Sequence, residues 1–383
     1  MAAELSLSKK AEDGRTLVVV FLRGAADGLT LVAPVQDDNY HRFRPRLAVK
    51  AAEAVPLDGF FGMHPLLHPL EAAWKDGDLA IVHGVGGESD TRSHFEAQDL
   101  MEHGGVAAGG WLGRFLRVRG PSMSPLSAVA LAPTLPESLS GAPAAAAFQT
   151  LREFSVGRVE DAFPRELRRL YERESGGLRE AAANTFEAMR RIEGIRADAA
   201  PEHGAVYPDT EPFAQGLRQV AQLIKAGVGL QAASVDLNGW DSHFTQETVM
   251  KPLMQRLAGG LAAFRQDLGA RMATTTVVVM TEFGRRVAEN SGFGTDHGRG
   301  SAMFVMGGGV RGGRVWGGAM SEGPGRWPGL KPEMLEGPGD LPVWNNYREV
   351  LAPMLARHGV DAEGMRAVFP DYAVKGEGAG LYS

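Results

Sequence analysis

The chain has 383 residues, 44% of them hydrophobic and 22% charged, the make-up of a soluble globular protein long enough to bury a large core. A formal net charge of -6 supplies no general positive field for a polyanion, so nucleic acid is not an expected partner. The absence of cysteine excludes disulfides, thiolate nucleophiles and cysteine-ligated zinc, and any metal must be held by His, carboxylate or hydroxyl groups.

Residues 1–15, MAAELSLSKKAEDGR, read as a polar tail, and the apolar run from Leu17 to Leu22 is too short for a signal-peptide core or a membrane span. As it stands the chain reads as cytoplasmic, or as periplasmic if an export signal was removed, with no transmembrane segment. TLVVVFLRG (16–24) is a continuous β-branched and aromatic run, the pattern of a strand buried on both faces. DLAIVHGVG (78–86), ASVDLNG (233–239), ATTTVVVMTEFG (273–284) and SAMFVMGGG (301–309) repeat it. Helical stretches lie before the second and the fourth of these strands. Strands alternating with helices predict one α/β domain over 16–383 with a mostly parallel central sheet, whose chemistry belongs at the strand carboxyl ends. Residues 158–200 are charged, with apolar positions near helical spacing, and predict a helical insertion at about 155–205. The glycine-rich run at 307–320 lacks the GK[ST] of a phosphate-binding loop and reads as a hairpin or loop. Nothing in the sequence sets the oligomeric state.

The strand ends carry unusual polar content. Arg23 and Asp27 follow the first strand, and Thr91, Arg92, Ser93 and His94 follow the second. Asp241 and His243 follow the third, Glu282 and Arg285 end the fourth, and Asp296 and His297 precede the fifth. Each has an ordinary reading too. Asp27 before Gly28 suits a helix N-cap, Ser93 with Glu96 suits a capping box, Asp241 and His243 suit an Asx-type turn, and Glu282 with Arg285 suits a surface ion pair. His and carboxylate pairs at several strand ends, in a chain with 10 histidines, nevertheless fit a divalent-metal site, with zinc or manganese suiting mixed ligands.

VVVFLRGAADGLTLVAP, DTRSHFEAQDLM, GWLGRFL, NGWDSH, TEFGR and TDHGRGSAMFVMGGGV, in that order, resemble the bacterial DUF1501 proteins. That family in turn resembles the alkaline-phosphatase and sulfatase superfamily. The resemblance implies a three-layer α/β/α sandwich and, by analogy, hydrolysis or transfer of phosphate or sulfate esters. DTRSHFE is similar to the DTxTGHWE pattern of metal-dependent phosphopentomutases, which implies Thr91 as nucleophile with Ser93 as second candidate. On the same likeness Asp241, His243, Asp296 and His297 surround one metal. The other metal site of the superfamily has Arg23 where an Asp is expected and Glu282-Phe283 where Asp-His is expected. Three outcomes stay open: a one-metal enzyme assisted by Arg23, held by Glu282; a second site using Asp27, Glu282 and His94; or a scaffold without catalysis.

The expectation is therefore a metal-dependent hydrolase acting on a small anionic phosphate or sulfate ester, with zinc or manganese as cofactor. Thr91 attacks in line, and Arg23 or Arg92 stabilises charge on the ester oxygens. The alternative is a non-catalytic binding or assembly protein that keeps the fold with a degenerate metal site.

Overall fold

The computed structural model describes residues 14–120, 124–151, 161–197, 200–208 and 210–382. Strand β1 (Thr16–Arg23) runs through the middle of a nine-stranded sheet. Leu17, Val19 and Phe21 pack on one face of it, and Val18, Val20 and Leu22 on the other. Burial on both faces is why the run is continuously apolar rather than alternating. The remaining strands are β2 (Leu79–Gly86), β3 (Ala128–Ala130), β4 (Ala146–Ala147), β5 (Ala232–Asn238), β6 (Thr275–Met280), β7 (Ser301–Gly307), β8 (Arg314–Trp316) and β9 (Asn345–Asn346). Across the sheet the order is β8, β2, β7, β6, β1, β5, β3, β4, with β9 also paired to β2.

The sheet is mostly parallel, and β7 is the exception, antiparallel to both β2 and β6. Its connection explains this. No helix lies between Met280 and Ser301, and a chain that returns beside its own strand without a crossover runs back antiparallel. The reversal has a functional consequence. The amino end of β7 shares one edge of the sheet with the carboxyl ends of β1, β2, β5 and β6, so the whole 281–300 connection is laid along that edge.

The principal helices are α1 (His94–His103), α2 (Trp111–Arg119), α3 (Ala162–Glu172), α4 (Gly177–Ala197), α5 (Pro212–Lys225), α6 (Gln246–Leu268) and α7 (Tyr347–Arg357). Leu217 of α5 and Leu257 of α6 join the core on one face of the sheet, and Phe115 of α2 and Leu351 of α7 join the core on the other. Truncating such a residue to alanine costs about 2–5 kcal/mol, so each helix is firmly seated. Helices α3 and α4 occupy much of the expected insertion, of which residues 152–160 and 198–199 lie outside the described residues. Ala188 and Ile192 tie α4 into the same core as α5 and α6, whereas α3 leaves Phe163 and Leu170 exposed. Of the polar tail at 1–15, only Gly14 and Arg15 are described. Among the described residues no helix is long and apolar enough to cross a membrane.

Candidate functional site

Three connections on the shared edge bring the polar residues together. Between β2 and α1, Ser93 caps the helix by accepting from the Glu96 amide at 3.5 Å, which makes His94 the first helical residue. Asp241 and His243 lie between β5 and α6, and Glu282, Arg285, Asp296 and His297 lie between β6 and β7. Two glycines permit the close approach. A Cβ on Gly298 would lie 2.4 Å from the Arg285 carbonyl carbon, and one on Gly294 would lie 2.2 Å from the His243 carbonyl oxygen. Only glycine allows the arms of the connection to close this tightly, and the isolated bridge between Arg285 and His297 is the result.

His94, His243 and His297 surround Asp241. The Nε2 atoms of His243 and His297 are 2.9 Å apart, and they lie 3.1 and 3.4 Å from Asp241 Oδ1. His94 Nε2 is 3.5 Å from Asp241 Oδ2. One ligand atom from each of His94, Asp241 and His297 falls within 4.8 Å of the others. Behind the rings the pattern repeats: His94 Nδ1 lies 2.8 Å from Glu282 Oε1, His297 Nδ1 lies 3.0 Å from the Arg92 carbonyl, and His243 Nδ1 lies 3.6 Å from Asp296 Oδ1. A carbonyl only accepts, so His297 carries its proton on Nδ1 and turns the Nε2 lone pair inward. Against an ionised Glu282, His94 likewise carries a proton on Nδ1. Among the described residues His94 Nε2 is buried and has no hydrogen-bond partner.

Electrostatics follow from these contacts. Burial pushes the Glu282 carboxyl up, but hydrogen bonds from His94, Gln98 and Thr281 outweigh it and hold it below the usual range. That same bond raises His94, against the effect of its burial. His297 is pushed down by burial and by the Arg285 guanidinium, which keeps it neutral and able to donate a lone pair. Asp241 is opposed by burial yet held low by Arg285 and His243, and Asp296 is held low first by the Asn290 amide. Phe283 stacks on His94 with centroids 5.0 Å apart and leans on His297 at 5.1 Å, closing one side to water.

The expected ligands therefore regroup. Asp241, His243 and His297 stay together, His94 joins them from the proposed second site, and Asp296 and Glu282 stand behind rings rather than among the converging atoms. The structure does not bring Asp27 to the site. It is buried, caps the helical turn after β1 and pairs with Arg44 at 2.6 Å. Arg23 is held by Asp236 at 2.6 Å and Glu102 at 3.2 Å, not by Glu282. Arg92 is bonded to Asp340 at 2.6 Å and to the carbonyl of His297, which braces the loop. Thr91 donates to Glu96 Oε2 at 2.7 Å, and Ser93 is the helix cap that its spacing to Glu96 suggests.

Arg285 is the residue that sequence reasoning undervalued. Instead of a surface pair with Glu282, it is buried and bonds Asp241 Oδ1 at 2.8 Å and the carbonyls of Gly24, Ala25, Thr295 and Trp240. Its only signal in sequence is its place one turn beyond a buried strand, which does not reveal burial. A family model described as "Protein of unknown function (DUF1501)" matches residues 83–325, a span that includes every residue of the cluster. No curated protein and no solved structure matches the chain.

Proposed function

This chain belongs to the DUF1501 family, and from the geometry of its site we propose that it is a metal-dependent hydrolase of phosphate or sulfate esters. One observation carries the reading. Three imidazoles turn Nε2 toward a single carboxylate while an oxygen stands behind each Nδ1. Metal-ligating histidines characteristically give their other ring nitrogen to a carboxylate or carbonyl in this way, which fixes the tautomer and raises ligand basicity. The buried His94 Nε2, which has no hydrogen-bond partner among the described residues, is the kind of atom a cation satisfies.

Zinc or manganese suits three imidazoles and a carboxylate, and either ion when bound supplies an acidified water and polarises an ester oxygen. The chain's own residues do the rest. Asp241 brings negative charge and is held in place by Arg285. Glu282 and the Arg92 carbonyl fix the His94 and His297 rings, and Asp296 stands behind His243. Phe283 excludes water from behind His94 and His297. Because the Thr91 hydroxyl donates to Glu96, the attack is assigned to water rather than to Thr91. The α/β/α sandwich of alkaline phosphatases and sulfatases remains part of this proposal, supported by the position of the cluster on the carboxyl edge of a mostly parallel sheet.

The test is turnover of 4-nitrophenyl phosphate, bis(4-nitrophenyl) phosphate and 4-nitrophenyl sulfate by chelator-stripped protein given zinc or manganese. Metal-dependent release of nitrophenolate, abolished in His243→Ala, is expected. Absence of turnover on all three with either ion overturns the hydrolase.

One observation favours a second reading, a non-catalytic binding protein. Arg23 and Arg92, the cations expected to stabilise ester charge, are both committed to carboxylates. That reading predicts ion binding without turnover in the same assay.

A further inference from the structure

On the far side of Phe283 lies a cavity of about 490 Å³ that takes no part in the proposed reaction. Glu282, Phe283 and Gly298 form its inner wall, so it backs directly on the histidine cluster without including the converging atoms. Its size falls within the ~300–1,000 Å³ range of small-molecule sites.

The chemistry of the wall restricts what can occupy it. Four carboxylates, Glu88, Glu96, Glu282 and Asp371, face two guanidinia, Arg299 and Arg348. Both cations are already paired, Arg348 with Glu88 at 2.8 Å and Arg299 with Glu336 at 2.6 Å. The wall therefore carries net negative charge and no uncommitted cation, and a phosphate or carboxylate group would be repelled there. The polar wall also includes the hydroxyls of Ser89 and of Thr91, the latter donating to Glu96. Groups that both donate and accept suit such a wall, and hydroxyls do both. An apolar surface made by Phe283, Tyr347 and Met101 completes the enclosure and offers a face for C–H groups.

We propose that this cavity binds an uncharged, polyhydroxylated molecule of the size of a small sugar. The inference stands apart from the metal reading, because no cavity contact requires an ion. Glu282 and Phe283 belong to both features, so occupancy of the cavity also bears on the orientation of His94 and His297, and by linkage ion binding alters sugar affinity in return.

The experiment is calorimetric and ligand-observed NMR titration of metal-stripped protein with glucose, galactose, mannose, sucrose and cellobiose. Choline serves as a cationic probe and glucose 6-phosphate as an anionic one. Two variants accompany the wild type: Val106→Trp, which places a large ring at the mouth from an exposed loop residue, and Glu96→Gln, which removes a charged acceptor. Circular dichroism and melting temperature establish that each is folded. Saturable binding of at least one neutral sugar is expected, weakened tenfold or more by Val106→Trp and measurably by Glu96→Gln. The anionic probe should bind at least tenfold more weakly than its parent sugar. No binding of any neutral sugar would overturn the proposal. So would preferential binding of choline, which would make the ligand a cation, or sugar binding indifferent to both variants, which would place it elsewhere. Saturable sugar binding by wild-type protein that takes up no ion would separate failure of the metal reading from failure of this one.

Discussion

The connections after β1 and after β6 lie on the same edge of the sheet and carry similar residues, yet they are resolved in opposite ways. After β1 every charge meets its opposite. Arg23 lies between Asp236 and Glu102, and Asp27 accepts two hydrogen bonds from Arg44 at 2.6 and 3.1 Å and one from Gln246 at 2.6 Å. After β6 and around it, three imidazole Nε2 atoms face the two oxygens of the Asp241 carboxylate, and the His94 and His297 rings are fixed from behind. Polar strand ends are thus of two kinds. Where charges and hydrogen bonds close locally the residues build structure, and where imidazole nitrogens converge on one carboxylate the residues suit a ligand.

The largest expected effect breaks the β1 side. Asp27→Ala leaves the Arg44 charge buried and unpaired, and should cost about 3–5 kcal/mol of stability in urea denaturation. The folded fraction should keep its ion stoichiometry. Loss of ion binding with unchanged stability would instead make Asp27 part of the site.

A buried histidine outside the cluster sharpens the contrast. His83 in β2 is fully buried, and burial drives its pKa down to about 4 from an ordinary value near 6.5. The unfolded chain therefore takes up the proton first as pH falls. This contribution to stability is complete above about pH 6.5 and is lost progressively down to about pH 4, a span worth about 3 kcal/mol. His83→Phe should flatten the fall in stability between pH 7 and pH 4.5. An unchanged slope would place the acid sensitivity in other groups.

Asp296→Asn should act on ion affinity rather than on folding. Weakening the oxygen behind His243 should reduce metal affinity by about 10–100-fold, with stability within about 0.5 kcal/mol as for other partly exposed positions. Equal losses in both would mean that Asp296 holds the loop and not the ring. The smallest effect is expected from Ser93→Ala, which removes the α1 cap at a cost of about 1 kcal/mol and leaves turnover intact. A collapse of turnover in that variant would return Ser93 to the reacting groups.

Much of this arrangement was legible in the residues. Runs such as TLVVVFLRG identify buried strands because burial on both faces removes the alternation, and the strand ends then locate Asp241, His243 and His297 without any contact being known. The partners of Arg23 were not legible. Asp236 is 213 positions away and meets Arg23 only because β5 pairs with β1 in a particular register. Arg285 shows the same limit, since its burial depends on carbonyls from three separate segments. The grouping of His94 with the other ligands depended on the reversal of β7, which a continuous apolar run does not reveal.

Ion stoichiometry separates a metal centre from a purely structural polar cluster. Stripped wild type, His94→Ala and His243→Ala should be reconstituted with zinc or manganese, desalted and assayed by mass spectrometry alongside protein concentration. One tightly held ion per wild-type chain is expected, with its loss in both variants while they remain folded. No ion in the wild type, or an ion retained equally by all three proteins, would contradict it.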